Sequence, residues 1–159
     1  MLFRSLVSPY YNKPTQQGLY EHFKAIAQAA PDLPLIVYNI QGRTASNIAT
    51  DTMARLARIP RIAGVKEASG SMAQVLEVLE CCGPDFAVWS GDDVVTLPLM
   101  AAGGIGVISV AANVAPGRMV ELSDALRAGD LARARRVQDR KSTRLNSSHI
   151  QKSRMPSSA

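Results

Sequence analysis

Lys66 is the residue whose type and position most need a chemical explanation. It directly follows Ile62-Ala63-Gly64-Val65, an apolar run of buried-strand character, where a solubilising lysine is out of place. A lysine amine kept from water has a lowered pKa and can attack a carbonyl to form a Schiff base. Other polar or reactive groups close comparable runs. They are Tyr10 and Tyr11, then Tyr38 and Asn39, then Glu67 beside Lys66, then Gly91, Asp92 and Asp93, and last Ser109. Arg43 follows Tyr38 in a Gly-Arg-Thr segment read as a loop. Each has a plainer reading. Lys66 and Glu67 form an ordinary strand-end charge pair; Tyr38 is a core tyrosine with its hydroxyl on a carbonyl; Arg43 is solvated; Asp92 and Asp93 cap the next helix. Spacing alone leaves both sets of readings open.

The elements that must position these groups alternate. Strand-like runs span residues 6–11, 34–39, 62–66, 86–90 and 106–110. Between them lie helical patterns. Thr15 caps one reaching Ala30, with Leu19, Phe23, Ile26, Ala27 and Ala30 on one face. A second covers residues 49–57, with Met53, Leu56 and Ala57 inward, and a third starts at Ser71 and stops at Gly83. A fourth covers residues 94–102. Pro116 opens one that runs to Arg127, and a last begins at Leu131. The strands are almost wholly apolar rather than alternating, as strands buried on both faces of a parallel sheet are. The class is therefore α/β, either doubly wound or part of a barrel. In both, active groups gather at the carboxyl ends of strands. No glycine-rich phosphate fingerprint follows the first strand.

The chain has 159 residues, 47% hydrophobic and 19% charged, with a mean hydropathy of zero. That suits one folded domain and excludes disorder or a coiled coil as the main class. No apolar run is long enough to span a membrane. The only cysteines, Cys81 and Cys82, are adjacent, and no Cys/His spacing suggests a metal. The expected compartment is the cytoplasm. The net charge of +5 resides at the ends, since residues 6–138 carry 12 basic and 12 acidic groups.

The two ends differ in texture. Residues 139–159 lack helical or strand periodicity. Asp139 to His149 back-translates to the sequence of a common short-read sequencing adapter, and Met1 to Ser5 fits the end of the opposite one. Residues 1–5 and 139–159 are accordingly expected to be translated adapter, the latter a disordered tail, around a gene fragment at 6–138. The alternative is a natural basic tail on a non-catalytic protein that binds nucleic acid. Residues 140–154 would contact only a few phosphates and offer no aromatic ring to stack on bases, so no nucleic-acid partner is expected.

The stretches SPYYNKPTQQGLYEHFKAIA, YNIQGRTA, GVKEASG, SGDD and GGIGVISVAANV occur in that order. Together they resemble the dihydrodipicolinate synthase family of pyruvate-dependent class I aldolases and lyases, across essentially all of residues 6–138. The resemblance implies a (β/α)8 barrel of which this chain holds strands four to eight with their helices. It implies no cofactor, no metal, and pyruvate and aspartate semialdehyde as substrates in lysine (diaminopimelate) biosynthesis. It also implies a homo-oligomer, dimer or tetramer, for the full-length protein. By the same resemblance, Lys66 forms the imine with pyruvate and Tyr38 relays protons. Tyr11 reaches across a dimer interface to complete the relay, and Tyr10 lies near an allosteric lysine pocket in members that have one. Arg43 binds the carboxylate of the aldehyde, and Gly91 and Ile108 line the pyruvate pocket. Gln41 stands where many members carry proline, so a looser loop around Arg43 is expected. The family's threonine pair, which holds the pyruvate carboxylate, falls outside the chain, so synthase turnover is not expected of these residues alone. Within the superfamily, N-acetylneuraminate lyase or a 2-keto-3-deoxy-sugar aldolase is the alternative; Arg43 suits a short carboxylated aldehyde better.

Overall fold

A computed structural model describes residues 3–139. Of the disordered tail expected over residues 139–159, Asp139 is instead the last residue of a helical stretch, and the rest, with residues 1–2, lies outside the described residues. The described residues divide into two compact units, the first ending at Ile108 and the second beginning at Ser109.

The first unit is a five-stranded parallel sheet in the order β1-β2-β3-β4-β5. Its strands are β1 (Arg4–Val7), β2 (Leu35–Asn39), β3 (Ile62–Glu67), β4 (Ala87–Ser90) and β5 (Gly106–Val107). Each strand pairs with the next in sequence, all parallel. Such an order has no reversal point, unlike a doubly wound sheet, where the strand order turns back on itself.

Helices link the strands. In α1 (Gln16–Ala29) the Thr15 hydroxyl accepts from the Gly18 amide at 3.2 Å, fixing the start, and Leu19, Phe23 and Ala27 are buried one turn apart. After β2 comes a single turn, α2 (Gln41–Thr44), then α3 (Thr50–Ala57), with Thr52, Met53 and Leu56 buried. Ser71 caps α4 (Met72–Cys81) by accepting from the Gln74 amide at 3.3 Å. Helix α5 (Thr96–Ala101) precedes β5. The core forms where α1, α3 and α4 cover one face of the sheet: Leu19, Phe23, Leu35, Val37, Met53, Leu56, Val65, Val75, Val78 and Val88 pack there.

In the second unit, a 3-10 turn (Ala111–Asn113) leads to α6 (Pro116–Arg127), with proline in its first turn, and residues 131–139 are helical.

Three expected boundaries are corrected. The first strand ends at Val7, not at the tyrosines. Pro9 has no amide hydrogen to donate to a ladder, so the chain leaves the sheet before it. Arg4 and Ser5 belong to this strand. The last strand is two residues rather than five. Ile108 adds one more bond, its amide to the Ser90 carbonyl at 2.8 Å. The Ser109 hydroxyl then accepts from the Ala112 amide at 2.9 Å and turns the chain into the 3-10 helix. Finally, the segment around Arg43 is a helical turn, not an open loop. The Thr44 hydroxyl shares its one proton between the Ser46 carbonyl at 2.9 Å and the Ile40 carbonyl at 3.1 Å, and Ala45 closes the turn at φ 55°.

Candidate active site

Parallel register aligns side chains in rows across a sheet. Val7, Tyr38, Lys66 and Trp89 form one such row near the carboxyl ends of β1 to β4. Residues in a row share a face, and their neighbours along each strand take the other. Lys66 and Tyr38 therefore meet. The Lys66 Nζ stands 4.0 Å from the centre of the Tyr38 ring. Both are half-buried.

Gly91 makes room for this lysine. Its amide donates to the Glu67 carbonyl at 2.7 Å, which draws the β4 exit tight against β3. A Cβ there would come 2.9 Å from the Ala68 Cβ and 3.0 Å from the Lys66 Cγ. Any other residue would push the lysine stem aside.

Burial shifts both groups. Desolvation lowers the Lys66 pKa, partly opposed by the Asp93 carboxylate. Desolvation raises that of Tyr38, and Tyr10 and Asp92 add to the rise, while the Arg43 guanidinium works against it. A larger fraction of the lysine is therefore a free amine at a given pH, and the tyrosine stays a proton donor. A nucleophile and a proton-transfer group side by side can form and break a carbon–nitrogen double bond.

The row behind this one is a polar scaffold that the sequence reading missed. Glu67, only 2% exposed, faces away from Lys66 into the helix layer, so the two do not form the charge pair considered above. Its carboxylate accepts from the Ser69 amide at 2.6 Å and from the Asn39 Nδ2 at 3.2 Å. Asn39 Oδ1 accepts from the Ile48 amide at 3.1 Å, and its Nδ2 also donates to Asn47 Oδ1 at 2.9 Å. Asn47 Nδ2 donates to Gln74 Oε1 at 2.9 Å, and Gln16 Nε2 donates to the Asn47 carbonyl at 2.8 Å. This chain of bonds ties the carboxyl ends of β2 and β3 to α1 and α4. A buried carboxylate and amide on adjacent strand ends must find partners, and that requirement was the available signal. Asn47, Gln74 and Gln16 gave none.

The remaining site residues are placed as follows. Arg43 and Tyr10 are exposed, close enough to Tyr38 for their charges to bear on it. Tyr11, 93% exposed at φ 69°, stands out in solvent rather than beside Lys66. Ile108 is held just past β5 by its bond to Ser90. Asp92 and Asp93 do not occupy the cap of α5, which is Val95; Asp92 instead folds its own turn, Oδ1 accepting from the Val94 amide at 3.1 Å. Among the described residues, no group of three or more His, Cys, Asp or Glu side chains could hold a metal, and no helix is long and apolar enough to cross a membrane.

A parallel α/β sheet with a desolvated lysine against a tyrosine at its carboxyl edge falls in the class of βα scaffolds that work at strand ends. Within that class, the sequence profile of the Dihydrodipicolinate synthetase family matches residues 4–157, and the chain belongs to this family. A 4-hydroxy-tetrahydrodipicolinate synthase of Nitratidesulfovibrio vulgaris (strain DSM 19637 / Miyazaki F) is 59% identical over 133 residues, 83% of this chain and 45% of the relative. The synthase of that name from Nitrosomonas europaea is 54% identical over 144 residues, 91% of this chain and 48% of its own. The crystal structure of dihydrodipicolinate synthase from Aquifex aeolicus superposes with a TM-score of 0.85 at 48% identity, over 87% of this chain and 47% of that one. A lysine-bound structure from Cyanidioschyzon merolae matches with a TM-score of 0.83 at 45% identity, over 86% and 47%. The chain spans about half the length of these relatives.

Proposed function

We propose that this chain is the part of a (β/α)8 barrel holding strands four to eight, and that the complete protein condenses pyruvate with L-aspartate 4-semialdehyde. The observation that carries the reading is the Lys66 amine over the Tyr38 ring at 4.0 Å, half-buried at the carboxyl edge of a parallel sheet. Lys66 Nζ attacks the pyruvate carbonyl and water leaves, giving an imine. The imine nitrogen draws electrons from the adjacent methyl, which loses a proton and becomes an enamine carbon nucleophile. That carbon forms the new bond to the aldehyde. Tyr38 carries protons in these steps, and its raised pKa keeps the hydroxyl protonated between them. Arg43, on the exposed turn after β2, offers a planar fork for the aldehyde's carboxylate. Gly91 and Ile108 shape the pyruvate pocket.

Tyr11, exposed and unengaged with Lys66, suits a residue that completes the relay in a second subunit of a dimer or tetramer. Tyr10 beside it is assigned to a lysine-responsive pocket. The reaction belongs to lysine biosynthesis and is cytoplasmic; it involves neither a membrane nor nucleic acid.

A condensation assay on the full-length protein tests this. Arg43→Ala should raise KM for the aldehyde at least tenfold while KM for pyruvate changes little. Equal effects on both substrates, or on neither, would remove Arg43 from aldehyde recognition. A full-length protein without condensation activity would refute the function itself.

A further inference from the structure

We propose that Cys81 and Cys82, with the cavity beside them, form a binding site for trivalent arylarsenicals. Cys81 is the last residue of α4 and Cys82 its C-cap. Their sulfurs stand 3.7 Å apart. Two sulfurs bonded at about 2.3 Å to one centre stand about 3–4 Å apart, so a single soft atom can bridge them with little side-chain rotation. Cys81 is exposed and gives access; Cys82 is half-buried.

The number of ligands selects the guest. A structural zinc site takes four, and no third His, Cys, Asp or Glu joins this pair among the described residues. An organoarsenic(III) centre needs only two thiols, because its third bond is already to carbon. Cys82 also lines a cavity of about 360 Å³ with Ala57, Ile59, Ala63 and Phe86, with Asp85 contributing its one carboxylate. This lies at the low end of the range for small-molecule pockets; its exposed lining is more polar than apolar, and Ile59, Ala63 and Phe86 are the apolar side chains it offers to a phenyl ring. Arsenic on the thiols would direct its aryl group there. The site sits where α3 runs into β3 and α4 runs into β4, at the amino ends of these strands, whereas Lys66 lies near the carboxyl end of β3.

The chemistry balances without an oxidant. Two arsenic–sulfur bonds form and the arsenic–oxygen bond breaks. Both thiol protons leave with that oxygen as water, and arsenic stays trivalent. Burial, with Cys81 adding to it, pushes the Cys82 thiol up to about 12. Alkylation and oxidation need the thiolate, so Cys82 resists both. Condensation with an arsenic oxide removes the proton as water and remains open to it.

The test is titration of the phosphine-reduced full-length protein with phenylarsine oxide and with methylarsine oxide, read by intact mass. One arsenical should bind per chain with loss of one water, the phenyl compound at least tenfold tighter. Cys81→Ser and Cys82→Ser should each weaken binding more than tenfold. Ala63→Phe, which fills the cavity and spares the thiols, should abolish the phenyl preference while methyl binding persists, and so should guanidinium chloride. Equal affinity for the two arsenicals in the native chain would overturn the site. So would an adduct that survives either serine variant, a preference untouched by Ala63→Phe, or zinc binding as tight as the phenyl compound.

Discussion

At the scale of the residue, the account rests on what burial does to one amine. Imine formation consumes the neutral form of Lys66. Because its pKa is lowered, the midpoint of a pH profile for pyruvate adduct formation should fall below the ~10.4 of an exposed lysine. Asp93 opposes that shift, so Asp93→Asn should move the midpoint lower still. A midpoint at the value of the exposed lysines, or one that rises in the variant, would contradict this electrostatic picture. Lys66 was legible in the sequence because a charged side chain at the end of an apolar strand needs a reason. Tyr38 was legible only as another polar group closing an apolar strand. What the sequence did not disclose is the pairing across β2 and β3 that puts ring and amine in contact. Nor did it disclose the Glu67–Asn39–Asn47 chain behind them, since register depends on which residues face each other between strands.

At the scale of the element, helix starts were readable where a hydroxyl residue caps them. Thr15 and Ser71 each accept from an amide three residues on. The turn at α2 was not readable. Its stability comes from the Thr44 side chain bonding the Ile40 and Ser46 carbonyls, with Ala45 at positive φ, where glycine would be the ordinary signal. The last strand was overextended because residues 106–110 remain apolar after the backbone has begun to turn at Ser109. Strand packing yields a sharper expectation at Gly64. A Cβ there would collide with the Ala87 carbonyl and come 2.7 Å from the Trp89 ring, where β3 and β4 pair. Gly64→Ala should therefore lower stability by about 1–3 kcal/mol, as overpacking does, and displace Lys66 two residues on. Urea denaturation of the full-length protein measures it; an unchanged midpoint would show that β3 and β4 are less tightly paired than the register indicates.

At the scale of the whole molecule, the relevant fact is that the chain spans about half of its relatives. Within the described residues, β1 pairs only with β2, and β5 only with β4, so the sheet has two open edges. A closed barrel has none. Unpaired strand edges recruit other chains. The 159-residue chain on its own should therefore self-associate and lack condensation activity, which light scattering and the coupled assay would register. A monodisperse monomer with turnover would show that the described strands suffice. The α/β class was legible from five apolar strand segments separated by helical patterns. The choice between doubly wound and singly wound order was not, because strand order is a property of the sheet and leaves no mark on any one segment.

The most direct test of the central claim is borohydride reduction of the full-length protein in the presence of pyruvate, followed by peptide mass mapping. The account predicts one stable adduct, on the peptide that contains Lys66, and none after Lys66→Ala. An adduct that maps to Lys13 or Lys24, or that persists in the variant, would contradict it.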